Sequence, residues 1–219
     1  MTVKSGFRGS NIGLYAYATD EYCIAGHELP DRVASDIERT MHVPVYRASI
    51  AGSSLVGIFL SGNSHCLLLP KTAYAYEMRL LEKLGIRCEV LNSSLTALGN
   101  VVVANENGCL ATPSFSDETV DALSKLLRVP VRRHSLAGLR NVGSAVAINS
   151  KGGLIHYEAA PRDVENISKL LGVDIHPGTV NMGSPLVRSG LLVNNHGLII
   201  GEDSSGIEIM EAEQAFQVI

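Results

Sequence analysis

At 219 residues, 46% of them hydrophobic, the chain is long and apolar enough to bury a sizeable core as one domain or two. A formal net charge of −4 argues against wide contact with bare phosphate, which normally needs a basic balance. No apolar run approaches the roughly 18 residues of a membrane span, and residues 1–10 lack the apolar core and cleavage pattern of a secretory signal.

In chain order, the first feature is residues 5–13, Ser-Gly-Phe-Arg-Gly-Ser-Asn-Ile-Gly, which resemble residues 49–57 and 135–143. Those later copies lie between repeated units, so the chain begins with the last strand of a unit. A short apolar pair then recurs: Cys23-Ile24, Cys66-Leu67, Cys109-Leu110, Gly153-Leu154 and Gly197-Leu198, at spacings of 43, 43, 44 and 44 residues. A second marker keeps step with it. Val43-Pro44-Val45, Ile86-Arg87-Cys88, Val129-Pro130-Val131 and Val173-Asp174-Ile175 are 43, 43 and 44 residues apart. Two markers with one period identify an internal repeat of about 44 residues.

The third unit shows the content of each copy. Val101-Val102-Val103-Ala104 predicts a strand, and Asn107-Gly108 predicts a hairpin turn with both central residues at positive φ. Cys109-Leu110-Ala111-Thr112 returns as a second strand that Pro113 ends. Ser116-Asp117-Glu118 opens a helix whose Val120, Leu123 and Leu127 form one apolar stripe. Residues 129–133 are a third strand. The fourth unit repeats the pattern, with Lys151-Gly152-Gly153 as the turn, Pro161 at the helix start, and Val164, Ile167 and Leu171 as the stripe. The chain ends near Phe216-Gln217-Val218-Ile219, just after a helix, so one unit is divided between the two termini. An open array would leave a strand edge unpaired. The expected architecture is therefore a closed α/β ring: residues 1–219 form a single domain of five strand-strand-helix-strand units.

The chemistry-bearing residues offer little support for catalysis. Cys23, Cys66 and Cys109 share a repeat position with Gly153 and Gly197, which reads as a demand for small size near the ring axis. Cys88 reads as core, and the absence of C-x-x-C spacing fits free thiols in a reducing cytoplasm. The seven histidines lack zinc-site spacing, His65 and His196 being repeat-equivalent hairpin residues. Neither a phosphate-binding glycine loop nor a serine elbow is present, so no cofactor or metal is expected. After Arg188 there is no Lys or Arg, while Glu202, Asp203, Glu208, Glu211 and Glu213 follow; this acidic end reads as a solvated face.

The inter-unit junctions remain. Ser10-Asn11-Ile12-Gly13, Leu55-Val56-Gly57-Ile58, Ala97-Leu98-Gly99-Asn100, Asn141-Val142-Gly143-Ser144 and Asn181-Met182-Gly183-Ser184 take corresponding places. A ring gathers them on one face. Their glycines either serve turns or floor a flat, semi-apolar docking surface, and composition alone leaves both readings open.

Several segments resemble the translation initiation factor 6 family of archaea and eukaryotes. They are Ala48-Ser49-Ile50-Ala51-Gly52, Gly62-Asn63-Ser64-His65-Cys66-Leu67-Leu68-Leu69-Pro70, Leu95-Thr96-Ala97-Leu98-Gly99-Asn100, and Gly178-Thr179-Val180-Asn181-Met182-Gly183-Ser184. The resemblance runs end to end and implies the pentein fold, a five-bladed α/β propeller. It also implies a monomeric, cytoplasmic, non-enzymatic factor. Such a factor docks on the intersubunit face of the large ribosomal subunit, against the L14 protein and the sarcin-ricin rRNA, and blocks joining of the small subunit. Carried onto this chain, the contact residues are Gly13, Gly57, Ile58 and Asn100, with Asn11, Asn141, Ser144 and Asn181 behind them. Ile58 departs from the basic residue usual in eukaryotic members, and the end of the chain at the last helix suggests an archaeal member. Two alternatives stand beside this reading: a guanidino-group enzyme of the same fold using a Cys nucleophile, and a ring scaffold for another protein.

Overall fold

The structure, a computed structural model, describes residues 1–218. It opens with strand β1 (Thr2–Ser5) and a 3-10 turn at Ile12–Leu14. The first complete unit is β2 (Ala16–Ala18), β3 (Cys23–Gly26), α1 (Asp31–Met41) and β4 (Val45–Ala48). The second adds a short helix, α2 (Val56–Phe59), before β5 (Ser61–Asn63), β6 (Cys66–Pro70), α3 (Ala75–Lys83) and β7 (Cys88–Leu91). The third likewise runs α4 (Leu98–Val101), β8 (Val102–Ala104), β9 (Cys109–Ala111), α5 (Asp117–Leu127) and β10 (Val131–Arg133). The fourth is β11 (Val146–Ile148), β12 (Gly152–His156), α6 (Pro161–Leu171) and β13 (Asp174–Gly178). A 3-10 turn at Val187–Gly190 leads into β14 (Leu191–Val193), β15 (Leu198–Gly201) and α7 (Gly206–Phe216).

Each unit is a three-stranded blade in which the middle strand pairs antiparallel with the first and parallel with the third. The fifth blade borrows its third strand from the other end of the chain: β1 pairs in parallel with β15, Thr2 opposite Leu198 through Ser5 opposite Gly201. This is the closure expected from the divided unit. It leaves no unpaired edge where the two ends of the repeat meet.

Local chemistry accounts for the elements. Ser116 caps α5 by accepting from the Thr119 N–H, and Leu123 and Leu127 of its stripe are fully buried. Pro161 takes the first position of α6, where a missing N–H costs nothing, and Gly172 ends that helix at φ 66°. Ile167 and Leu171 of α6 pack with Leu110 of the preceding blade as well as with Val146 and Ile155 of their own. The core is therefore divided into five apolar clusters, each spanning two neighbouring blades. The cluster holding Ile12, Val33 and Ile37 also takes in Leu192 and Ile199, so the first blade is welded to the fifth. Burial of such side chains is worth about 1.5–3 kcal/mol each.

Three sequence expectations need correction. The Asn107-Gly108 turn has neither residue at positive φ. The side chain of Asn105 makes the turn instead, its Oδ1 accepting from the N–H groups of Asn107 (3.0 Å) and Gly108 (3.1 Å). Gly152 and Gly153 lie in β12, so the fourth turn is Asn149-Ser150-Lys151. The shared position of the hairpin markers also shifts by one residue in two units. Strand register aligns Cys23, Leu67, Cys109, Gly153 and Leu198, with third-strand partners Val45, Cys88, Val131, Ile175 and Thr2. Two leucines stand there, so that position does not demand small size. One residue earlier stand Tyr22, Cys66, Gly108, Gly152 and Gly197, and only the three glycines are required there for lack of space. A Cβ on any of those three glycines would collide with a helix carbonyl, that of Leu170, Ala215 or Thr40 respectively.

A candidate docking face at the ring axis

The first strands of the five blades surround the axis, and the short junction segments close it at one end. Gly13, Gly57, Gly99 and Gly143 form a chain of close approaches there. A Cβ on Gly13 would strike the Arg188 carbonyl, one on Gly57 the Gly13 carbonyl, one on Gly99 the Gly57 carbonyl, and one on Gly143 the Gly99 carbonyl. Arg188 completes the circle by donating its N–H to the Ser144 carbonyl at 3.2 Å. None of these four glycines has a positive φ. They are needed for backbone-to-backbone contact and not for a turn.

The circle also corrects the fifth junction. Its member is Arg188, in Val187–Gly190, and not Gly183. Asn181-Met182-Gly183-Ser184 belongs to an outer loop between β13 and the axial turn, equivalent to the loop around Ala51 and Gly52. Both loops bring non-glycine residues to positive φ (Ala51 53°, Asn181 50°, Met182 59°). A buried carboxylate holds each of them. Glu77 Oε1 accepts from Ser49 Oγ (2.8 Å) and the Gly52 N–H (2.9 Å), and its Oε2 accepts from the N–H groups of Ala51 (2.8 Å) and Tyr74 (2.9 Å). Glu208 repeats the arrangement with Thr179 Oγ1 (2.8 Å) and the N–H groups of Gly183 (2.9 Å), Met182 (3.2 Å) and Ser205 (2.7 Å). Burial pushes the Glu208 carboxyl up, but the N–H groups of Ser205, Gly183 and Met182 and the Thr179 hydroxyl outweigh it and hold the group below the ordinary carboxylate range.

Glu208 is thus no part of a solvated acidic face, being 5% exposed. The capping pair Ser205–Glu208 was a readable signal for the helix start, but the long-range half of its bonding was not.

The remaining candidate residues fall on this end of the ring. Gly13 and Gly57 are buried and form its floor, and Ile58 and Asn100 are partly exposed. The Asn100 carbonyl accepts from the N–H groups of Gly143 (2.9 Å) and Ser144 (3.3 Å), which fixes its backbone. Its side-chain amide makes no hydrogen bond among the described residues and is free to meet a partner. The exposed Asn141 side chain is equally uncommitted, whereas Ser144 is buried and donates its Oγ to the Asn141 carbonyl at 2.8 Å. Asn11 is exposed, and its Oδ1 accepts from Asn181 Nδ2 (3.3 Å) and Ser189 Oγ (3.2 Å). Asn181, though off the axial circle, is therefore tied to its rim. Beside it, Met182 stands 76% exposed on a loop that Glu208 holds rigid.

Nothing comparable is built around the cysteines. All four are buried and free. Burial pushes the thiols of Cys23 and Cys109 up to about 12 and those of Cys66 and Cys88 up to about 11, the reverse of what activates a nucleophile. Among the described residues no group of His, Cys, Asp and Glu is placed to hold a metal ion, and no helix is long and apolar enough to cross a membrane.

The chain matches the family model described as "eIF-6 family" over residues 3–215. Translation initiation factor 6 of Saccharolobus islandicus (strain L.S.2.15) is 36% identical over 212 residues, covering 95% of each chain. The Pyrococcus abyssi protein of the same name is 34% identical over 214 residues, covering 95% of this chain and 94% of its own. Among solved structures, C. jejuni agmatine deiminase aligns at a TM-score of 0.42 and 12% identity, over 71% of this chain and 60% of that one. The chain belongs to the eIF-6 family, and its fold is the five-bladed α/β propeller.

Proposed function

From that membership we propose that the protein is a non-enzymatic translation factor that docks on the large ribosomal subunit through its axial face and excludes the small subunit. The observation that carries the reading is the pairing of family membership with a face built for contact. Its floor is rigid backbone around Gly13, Gly57, Gly99 and Gly143, and over it stand the uncommitted amides of Asn100 and Asn141 beside half-buried Ile58. Rigid floors with a few free polar groups suit specific docking, because little freedom is lost on binding.

The proposed contacts are the L14 protein and the neighbouring sarcin-ricin rRNA, and Asn11, Ser144 and Asn181 support the face from behind and from the rim. The mechanism is steric. A chain of this length has a radius of gyration of about 17 Å and so a diameter of roughly 45 Å. A body of that size on the intersubunit surface cannot share it with the small subunit. The net charge of −4 suits a basic protein partner and would act mainly on the association rate.

The test is co-sedimentation with separated large and small subunits, with subunit joining measured in parallel. Selective pelleting with large subunits and suppressed joining is the expected result. Absence of binding to either subunit would sink the assignment. The enzymatic alternative receives no support from four buried thiols whose protons are held more tightly than usual.

A further inference from the structure

The axis has a second end. A cavity of about 600 Å³ runs along it, lined by first-strand residues of all five blades, among them Tyr17, Gly62, Val103, Ala147 and Leu192. Its volume falls within the roughly 300–1,000 Å³ of small-molecule sites. The side chain of Arg188 lies at its floor, and the same residue also borders the shallow dent on the docking face. Where the other four units put glycine, the fifth therefore places a guanidinium between the two faces of the ring.

That guanidinium is incompletely satisfied by protein. Nη2 donates to the Leu60 carbonyl at 3.1 Å and Nη1 to the Val102 carbonyl at 3.3 Å. The group also lies 5.8 Å from the centre of the Tyr17 ring. Its Nε–H and one N–H on each terminal nitrogen are uncommitted, and among the described residues no carboxylate lies within 4.0 Å of it. Arg188 is only partly exposed, and a partly desolvated charge without a counter-ion keeps part of its desolvation cost. Desolvation here is sufficient to pull the arginine below its ordinary value. Tyr17 also lines the cavity; its hydroxyl has no hydrogen-bond partner among the described residues, and burial pushes its pKa from 10.0 up to about 12. It is a second free donor, on the residue whose ring lies 5.8 Å from the guanidinium carbon.

We propose that the axial cavity binds a small oxyanion, a carboxylate or phosphate head, against the guanidinium of Arg188 with the Tyr17 hydroxyl as a second donor. Planar guanidinium donors suit both heads bidentately. The exposed carboxylates of Asp20, Glu21 and Glu106 also line the cavity and disfavour highly charged polyanions. Arg188 belongs to both faces, so oxyanion binding is measured on the free chain, without ribosomes.

The experiment is isothermal titration calorimetry of the full chain with sodium acetate and with inorganic phosphate, against sodium chloride at matched ionic strength. Saturable binding of one oxyanion per chain is expected, weakened at least about tenfold in both R188Q and R188G. The glycine variant carries the residue that the other four units hold there, so it keeps the test valid if glutamine disturbs folding. Saturation by acetate alone would assign a carboxylate ligand, and by phosphate alone a phosphate head. Equal responses in wild type and variants, an equal response to chloride, or no saturation with either probe would each overturn the proposal.

Discussion

The side-chain amide of Asn194 donates to the main-chain carbonyl of Met41 at 2.9 Å, joining the fifth blade to the helix of the first across 153 residues of sequence. The same nitrogen donates to the Thr19 carbonyl at 3.0 Å. Asn63, Asn105 and Asn149 make the equivalent reach to Leu127, Leu171 and Phe216, each at the last turn of the next blade's helix. Their Oδ1 atoms meanwhile hold their own hairpin turns. Four amides thus stitch the propeller blade to blade, each satisfying helix-end carbonyls that have no partner within the helix.

Asn194→Ala should accordingly destabilise the protein by about 2–4 kcal/mol, since it strips two carbonyls and two turn N–H groups of partners at one buried site. Urea unfolding measures this. A loss below about 0.5 kcal/mol would mean that the first and fifth blades are held by apolar packing alone.

Gly99→Ala and Asn100→Ala, one residue apart, should separate folding from docking. The methyl at 99 meets three carbonyl oxygens, of Gly57, Ile58 and Leu60, and can only be accommodated by moving backbone, at about 1–3 kcal/mol or more. Asn100→Ala removes an uncommitted side chain and should leave the melting temperature nearly unchanged. On the proposed function it weakens capture by large subunits about tenfold or more. Capture unchanged in a well-folded Asn100→Ala protein would move the docking site off the axial face.

Glu208→Gln replaces an all-acceptor group with one that presents an amide nitrogen to N–H donors. At least one of the four contacts must break, at about 1–3 kcal/mol. Because the folded-state pKa of Glu208 lies below its ordinary value of 4.5, its contribution is present above that pH and is lost as pH falls through the folded value. The wild type should lose stability on acidification below about pH 4.5, and the glutamine variant should lose less. Parallel acid profiles would refute the assignment.

The cysteines make the opposite prediction at alkaline pH. A thiol held more protonated in the fold than its ordinary value of 9.0 contributes fully below that pH. The contribution fades as pH rises toward the folded values of about 11 to about 12. Stability should decline above about pH 9. At neutral pH, labelling by a thiol reagent should track global unfolding and slow as the protein is stabilised. Rapid labelling of one thiol in the native state would show a reactive site and reopen the enzymatic alternative.

The sequence by itself determined the five-unit period, the strand-strand-helix-strand order, the division of one unit between the termini and hence the closed ring. Those features repeat because every blade must bury the same faces against its neighbours, and a burial requirement leaves its period in the apolar residues. Tertiary structure alone decided register and long-range satisfaction. Cys66-Leu67 and Gly197-Leu198 hold two residues compatible with a buried strand, so only pairing with Cys88 and Thr2 tells which aligns with Cys23. Asn181-Met182-Gly183-Ser184 spells the same pattern as Asn141-Val142-Gly143-Ser144, yet the carbonyl-to-carbon contacts put Arg188 in the circle. Likewise Glu208 looks like one more acid in an acidic tail until Thr179, Met182 and Gly183 are brought within hydrogen-bonding distance of it. Periodicity records what each unit does for its own core. A residue whose partners lie tens of positions away leaves them unread in its own stretch of sequence, even where, as with Glu77 and Glu208, the arrangement recurs in another unit.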